Sequence, residues 1–308
     1  MSLLSIVKGR RGASGFGYAS TAEEVTDGLD LGGKNILITG VNSGLGEESA
    51  RVLSMRGARV FGTARTEAKA KQAGALLEGD AVPLVCELAD PGSVKACVDA
   101  VQKRGDRLDV ILCNAGIMAL PSREVVHGQE RQFFTNHVGH FMLVTGLLDL
   151  LRDDGRVVML SSEAHRWAPR SGIRFDDPTL EGSYAARTAY GQSKLANLLF
   201  ARSLSKRFEG TKKTANSLHP GVIHTNLTRH MNPVVKVGSQ VGAVIAMKSV
   251  PEGSATQCYV ATHPSLAEVS GEYFSDCNIA RSSRHGQNDE MAERLWALTE
   301  EIVAGLTR

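Results

Sequence analysis

Short apolar runs recur along the first two-thirds of the chain, each followed by a turn and then by a longer stretch with apolar residues every three or four positions. That alternation predicts strands and helices in turn, and so a parallel sheet with helices on both faces. Lys34–Thr39, Val60–Thr63, Val82–Val85, Leu108–Leu112, Gly155–Leu160 and Thr214–Leu218 read as strands, and Gly271–Phe274 as a last strand of the parallel sheet. Their nearly unbroken apolar character suits strands buried on both faces. Helices are predicted from Glu47 to about Met55, after Arg65, and from Pro91 to about Lys103, where proline suits a first helical position. Longer helices are expected around 130–151 and from Arg187 to about Arg207. Pro251 to about Thr262 forms another, and residues 289–304 close the chain with Met291, Leu295, Leu298 and Ile302 on one stripe. The expected class is therefore α/β. Residues 34–308 read as one doubly wound domain of about seven strands, without repeats.

Residues 1–33 read as an arm with a short helix. Met1 to Gly17 carries Lys8, Arg10 and Arg11 and no acid. It reads as a poorly ordered terminus or as a transit peptide. Ser20-x-x-Glu23 and Thr21-x-x-Glu24 offer two capping registers for a helix running to about Gly28.

Composition changes the picture little. At 42% hydrophobic, 22% charged and net charge +2, the 308 residues are ordinary for a globular chain and advertise neither nucleic acid nor an anionic membrane. No apolar run reaches the ~18 residues of a spanning helix, so no integral membrane segment is expected. Five scattered cysteines without a C-x-x-C pair read as reduced thiols, which favours a cytoplasmic setting and neither a disulfide framework nor a zinc site. His137 and His140 read as packing or surface histidines, with no third ligand nearby, so no metal is expected.

Candidate chemistry begins at Gly40-Val41-Asn42-Ser43-Gly44-Leu45-Gly46, between the first strand and its helix. Gly40 permits a tight turn, Gly44 lets backbone approach a pyrophosphate, and Gly46 allows close helix–strand packing. The helix N-terminus then offers free N–H groups to the phosphates. This is a Rossmann-type nucleotide turn. After the second strand the chain reads Thr63-Ala64-Arg65-Thr66, with an arginine and no acid at the position that meets the adenosine ribose. An arginine there accommodates a 2′-phosphate, so the expected cofactor is NADP(H). Tyr190 and Lys194 lie four apart on a predicted helix and can point into one site. A cation beside a phenol favours the phenolate and makes it a usable proton shuttle.

Thr39-Gly40-x-x-x-Gly44-x-Gly46 resembles the short-chain dehydrogenase/reductase superfamily, and the resemblance covers nearly the whole chain. It implies that Gly40, Asn42, Ser43, Gly44, Leu45 and Gly46 hold cofactor. Glu87-Leu88 stands where the family commonly has Asp-Leu beside the adenine. Cys113-Asn114-Ala115-Gly116 looks like the family's N-N-A-G, with cysteine for the first asparagine; Asn114, Ala115 and Gly116 would line the cofactor. Asn136 in Phe134–Phe141 matches the catalytic-site asparagine that helps hold a water near the lysine. Ser162, after Ser161 at a strand end, matches the serine that bonds the substrate oxygen. Tyr190 and Lys194 complete the set and also touch cofactor. Pro220 and Gly221 match the turn beside the nicotinamide, with Val222 orienting the carboxamide and Thr225 reaching phosphate. Residues 226–250 match a substrate lid.

The insertion before Tyr190, together with Gly15-Phe16-Gly17 and Ser20–Val25, resembles the branch holding retinol dehydrogenases, the WW-domain oxidoreductase and the dehydrogenase associated with the chloroplast translocon. It implies an enzyme interconverting a carbonyl and an alcohol on a small apolar molecule. The alternative is an NADPH-sensing or scaffold protein, with a chloroplast or membrane-peripheral location. A homodimer through the two long helices is expected by analogy.

Overall fold

The computed structural model describes residues 9–177, 179–223 and 247–306. Eight strands form the central sheet in the order β10-β9-β8-β7-β4-β1-β2-β3. They are β1 Asn35–Thr39, β2 Arg59–Ala64, β3 Val82–Val85, β4 Leu108–Cys113, β7 Leu151–Leu160, β8 Thr214–His219, β9 Tyr273–Ser275 and β10 Asn278–Ile279. All neighbours pair in parallel except β9 and β10. The expected last parallel strand thus forms, but a short antiparallel edge strand follows it.

Alternate residues of the central strands feed two different cores, as the period of two requires. Ile36, Ile38, Val110, Leu112 and Val158 face one apolar cluster. Leu37, Ile111, Cys113, Val157 and Met159 face the other. The first is covered by α2 (Gly44–Met55) and α8 (Val250–Thr262). Against the second pack α4 (Pro91–Arg104), α6 (Gly139–Leu147), α7 (Ala186–Arg207) and α9 (Asp289–Leu306). Each fully buried Leu or Ile contributes ~1.5–3 kcal/mol. The remaining helices are α1 (Ala22–Val25), α3 (Glu67–Gly74) and α5 (Arg131–Phe133), and a small hairpin pairs β5 (Val125–Val126) with β6 (Gln129–Glu130).

Three expectations need correction. The first helix is a single turn capped in the second register: Thr21 accepts from Glu24 N–H while Glu24 accepts from Thr21 N–H. The helix expected around 130–151 is broken by a π-helical turn, Phe134–Val138, and ends at Leu147. Within the arm, residues 9–17 are not loose. Arg11 bridges Gly17, and the Asn278 side chain accepts from Ser14 N–H at 3.0 Å and donates to Phe16 C=O at 3.1 Å. Phe16 stacks edge-on against Tyr259.

The chain runs β1 to β3 outward on one side, then returns to place β4 on the other side of β1. Connections therefore leave in opposite directions at the carboxyl ends of β1 and β4, where open α/β sheets form their ligand crevice.

Candidate active site

The crevice begins where β1 runs out. Gly40 takes φ +75° and Gly44 φ +61°, which L side chains rarely adopt. A Cβ on Gly46 would lie 2.2 Å from Gly40 O and 2.5 Å from Asn114 Nδ2, so helix and turn could not meet there with any other residue. Helix α2 starts at Gly44, earlier than expected, and Ser43 at its N-cap makes no side-chain bond to it. The first N–H groups of α2 are thus left to a phosphate-bearing ligand.

The groove continues past Gly40, Asn42 and Leu45 to Arg65 and Glu87 at one end, and past Asn114, Ala115 and Gly116 to Leu160 at the other. Arg65 is half exposed, and its Nε stands 4.0 Å from Glu87 Oε2. That is a loose pair, easily re-formed around a phosphate. Leu88 and Ala89 complete this end. Thr135 also faces the groove, and its buried hydroxyl has no hydrogen-bond partner among the described residues. Free N–H groups, a loosely held arginine and an orphan hydroxyl fit a phosphorylated dinucleotide.

Asn114 fixes the groove floor. Its Nδ2 donates to Thr39 C=O at 2.8 Å. The Thr39 hydroxyl accepts from the N–H groups of Asn114 and Ala115, each at 2.9 Å. The same hydroxyl meets His140 Nε2 at 2.9 Å, and His140 Nδ1 meets Asn136 C=O at 2.8 Å. A carbonyl only accepts, so Nδ1 carries the proton and Thr39 donates to Nε2. Burial holds His140 neutral, with its pKa down at about 4. Cys113 needs no amide at its position: it is fully buried in the apolar cluster, and burial pushes its thiol up.

Asn136 sits in the π-helical turn and is fully buried. Its Oδ1 accepts from Ile117 N–H at 2.8 Å, and its Nδ2 donates to Ile117 C=O and to Ser193 Oγ, each at 2.9 Å. Ser193 passes the bond on to Tyr190 C=O at 2.8 Å. The side chain therefore clamps the loop after β4 to α7. A Cβ on Gly116 would lie 3.0 Å from Asn136 Oδ1 and 3.5 Å from Lys194 Nζ, so these two groups converge beneath that glycine.

Tyr190 and Lys194 lie on α7, and Ser162 lies just past β7. Ser162 caps a 3₁₀ turn, Glu163–Trp167, accepting from Ala164 N–H at 3.2 Å, and its hydroxyl is near enough to the Tyr190 phenol to favour the ionised form. Ser161 turns the other way, donating to Lys194 C=O at 2.7 Å. Lys194 Nζ donates to Leu160 C=O at 2.9 Å and lies 5.7 Å from the Tyr190 ring centre. Burial lowers its pKa to about 8. Burial also raises the Tyr190 phenol to about 12, with the neighbouring Ser162 hydroxyl acting in the opposite direction. The lowering expected from Lys194 does not appear in this arrangement, where the ammonium donates to Leu160 C=O. The tyrosine is a proton holder here, ready to give and not yet ready to take.

Pro220 and Gly221, at φ +99°, follow β8, and Val222 is 59% exposed beyond them. Thr225 and most of the expected lid, 226–246, lie outside the described residues. Ile117, Thr135 and Ser193 were given no role from sequence; Thr39 stood only at the head of the glycine motif and His140 only as a packing or surface histidine. Only Thr39, a polar residue ending an apolar strand, carried a readable signal.

A family model for short chain dehydrogenase matches residues 34–172. Short-chain dehydrogenase TIC 32 A, chloroplastic, of Brassica napus is 38% identical across 99% of this chain and 100% of its own. Retinol dehydrogenase 14 of Homo sapiens is 37% identical across 90% of this chain and 88% of its own. Among solved structures, an uncharacterized protein from Mycobacterium paratuberculosis superposes with TM-score 0.75 at 33% identity, over 91% of this chain and 97% of the other.

Proposed function

The chain belongs to the short-chain dehydrogenase/reductase family of oxidoreductases, and on that premise we propose that it interconverts a carbonyl and an alcohol on a small apolar molecule with NADP(H). The observation that carries this reading is the Ser162–Tyr190 hydroxyl pair just past Leu160, where the groove ends, with Asn136 and Lys194 converging beside Gly116.

The α2 N-terminus with Asn42, Ser43 and Leu45 holds the pyrophosphate, Arg65 the 2′-phosphate, and Glu87 and Leu88 flank the adenine. Asn114, Ala115 and Gly116 line the middle, and Pro220, Gly221 and Val222 border the nicotinamide. When bound, the cofactor supplies or accepts the hydride. Ser162 and Tyr190 donate to the substrate oxygen, and Tyr190 gives its proton as negative charge develops there. A phenol held up at about 12 keeps that proton until an alkoxide of higher basicity asks for it. Lys194, still protonated at neutral pH with a pKa of about 8, supplies the positive field that stabilises the phenolate left behind. Asn136 fixes the loop and helix that bear these groups. The relatives named for retinol support an apolar alcohol or aldehyde as substrate.

Fluorescence titration with NADPH and NADH tests the cofactor. NADPH is expected to bind at least ~10-fold more tightly, and Arg65→Ala to erase most of that preference. Equal affinities in the unaltered protein would overturn the assignment.

A further inference from the structure

Lys248 is an ammonium without exposure: its side chain is 0% accessible. Taking a charge out of water is costly even when it is paired, so such a group is held for a reason other than packing. Its ammonium meets Asp276 Oδ1 at 2.6 Å as an ion pair without hydrogen-bond alignment, and sits 4.8 Å from the centre of the Tyr18 ring.

The rest of the residue is spent on the turn after β8. A Cβ on Gly221 would lie 2.6 Å from Lys248 Cδ, so the stem runs hard against that glycine. Lys248 N–H donates to Val222 C=O at 2.9 Å, and Ile223 and Lys248 form a parallel bridge. Asp276 itself is held in a left-handed conformation, φ +52°, in the β9–β10 turn, followed by Cys277 at φ +61°. Two residues on, Asn278 grips the arm that carries Tyr18. One buried cation therefore joins three segments far apart in sequence: the arm, the β9–β10 turn and the Pro220–Val222 turn.

We propose that Lys248 is a positioning residue for the nicotinamide half of the cofactor site, its stem setting Gly221 and its ammonium, fixed by Asp276 and roofed by Tyr18, holding the Pro220–Val222 turn. The inference rests on the cofactor reading above. It also gives the N-terminal arm a part in cofactor binding, through Tyr18.

Two ligands separate positioning from general damage. NADPH spans the whole groove, whereas adenosine 2′,5′-bisphosphate occupies only the adenosine half. Lys248→Met keeps the stem and removes the charge. It is expected to weaken NADPH roughly tenfold while adenosine 2′,5′-bisphosphate stays within about twofold. Tyr18→Ala leaves the buried ion pair in place and should show the same split at about threefold, the scale of one cation–π contact. Unchanged NADPH affinity in both variants, or equal weakening of both ligands, overturns the inference. Failure of the unaltered protein to bind NADPH would instead sink the cofactor reading on which it stands.

Discussion

Two imidazoles buried around Asn136, together with the buried His219, contribute to how stability responds to acid. His137 meets Thr299 Oγ1 at 2.9 Å, and His140 joins Asn136 to Thr39. Burial lowers their pKa values to about 3 and about 4. In the unfolded chain an imidazole titrates near ~6.5. Between about 6.5 and the folded values the unfolded state binds protons that the native state refuses. Stability is therefore full above that window and lost as pH falls through it, at ~1.4 kcal/mol per pH unit for each group. Urea midpoints from neutral pH down to about 4 should show this slope, and His140→Gln should lessen it by about one group's share. An unchanged slope in that variant would contradict the neutral, doubly bonded His140. This residue was read from sequence only as packing or surface. Its partners lie 101 positions away at Thr39 and one helical turn away at the Asn136 carbonyl, and neither is visible in a local pattern.

At the scale of elements, α7 is enclosed. From Ala189 to Ala201 every residue is buried within one chain. Helix α9 covers its neighbour as well: Trp296 stacks on Phe141 of α6 at 4.9 Å and on Phe200 of α7 at 5.6 Å, while Arg207 lies 3.7 Å over the indole and pairs with Glu293. The dimer expected through these two helices has little free surface left to use. Sedimentation at low micromolar concentration should give one species near 32.9 kDa. A dimer that survives dilution, and is broken by substitutions on α6, would contradict this. The central strands were legible because both their faces are apolar. The start of β7 was not: Arg152, Asp153 and Asp154 are exposed strand residues that read as a loop. The β5–β6 hairpin was missed because its turn, His127-Gly128, lacks the asparagine or aspartate that usually announces φ above zero at both positions.

Across the whole molecule, topology converts a scattered set of residues into one site. The reversal beside β1 places Gly40 and Asn114 across a crevice, and β7 and α7 deliver Ser162, Tyr190 and Lys194 to its end. The glycine turn was legible because backbone geometry demands glycine at fixed spacing, and Arg65 was proposed from phosphate chemistry alone. The four residues proposed for the reaction centre were suggested mainly by resemblance, since a tyrosine and a lysine four apart are common on any helix. Lys248, Asp276 and Tyr18 were not legible at all: each is an ordinary polar residue until the fold closes over them. The central claim is that this assembly turns over a carbonyl through Tyr190. The most direct test follows loss of NADPH absorbance with a panel of apolar aldehydes and ketones, in the unaltered protein and in Tyr190→Phe. The account predicts turnover that falls by at least ~10²-fold in the variant, with NADPH affinity kept. A variant that retains most of the turnover would contradict it.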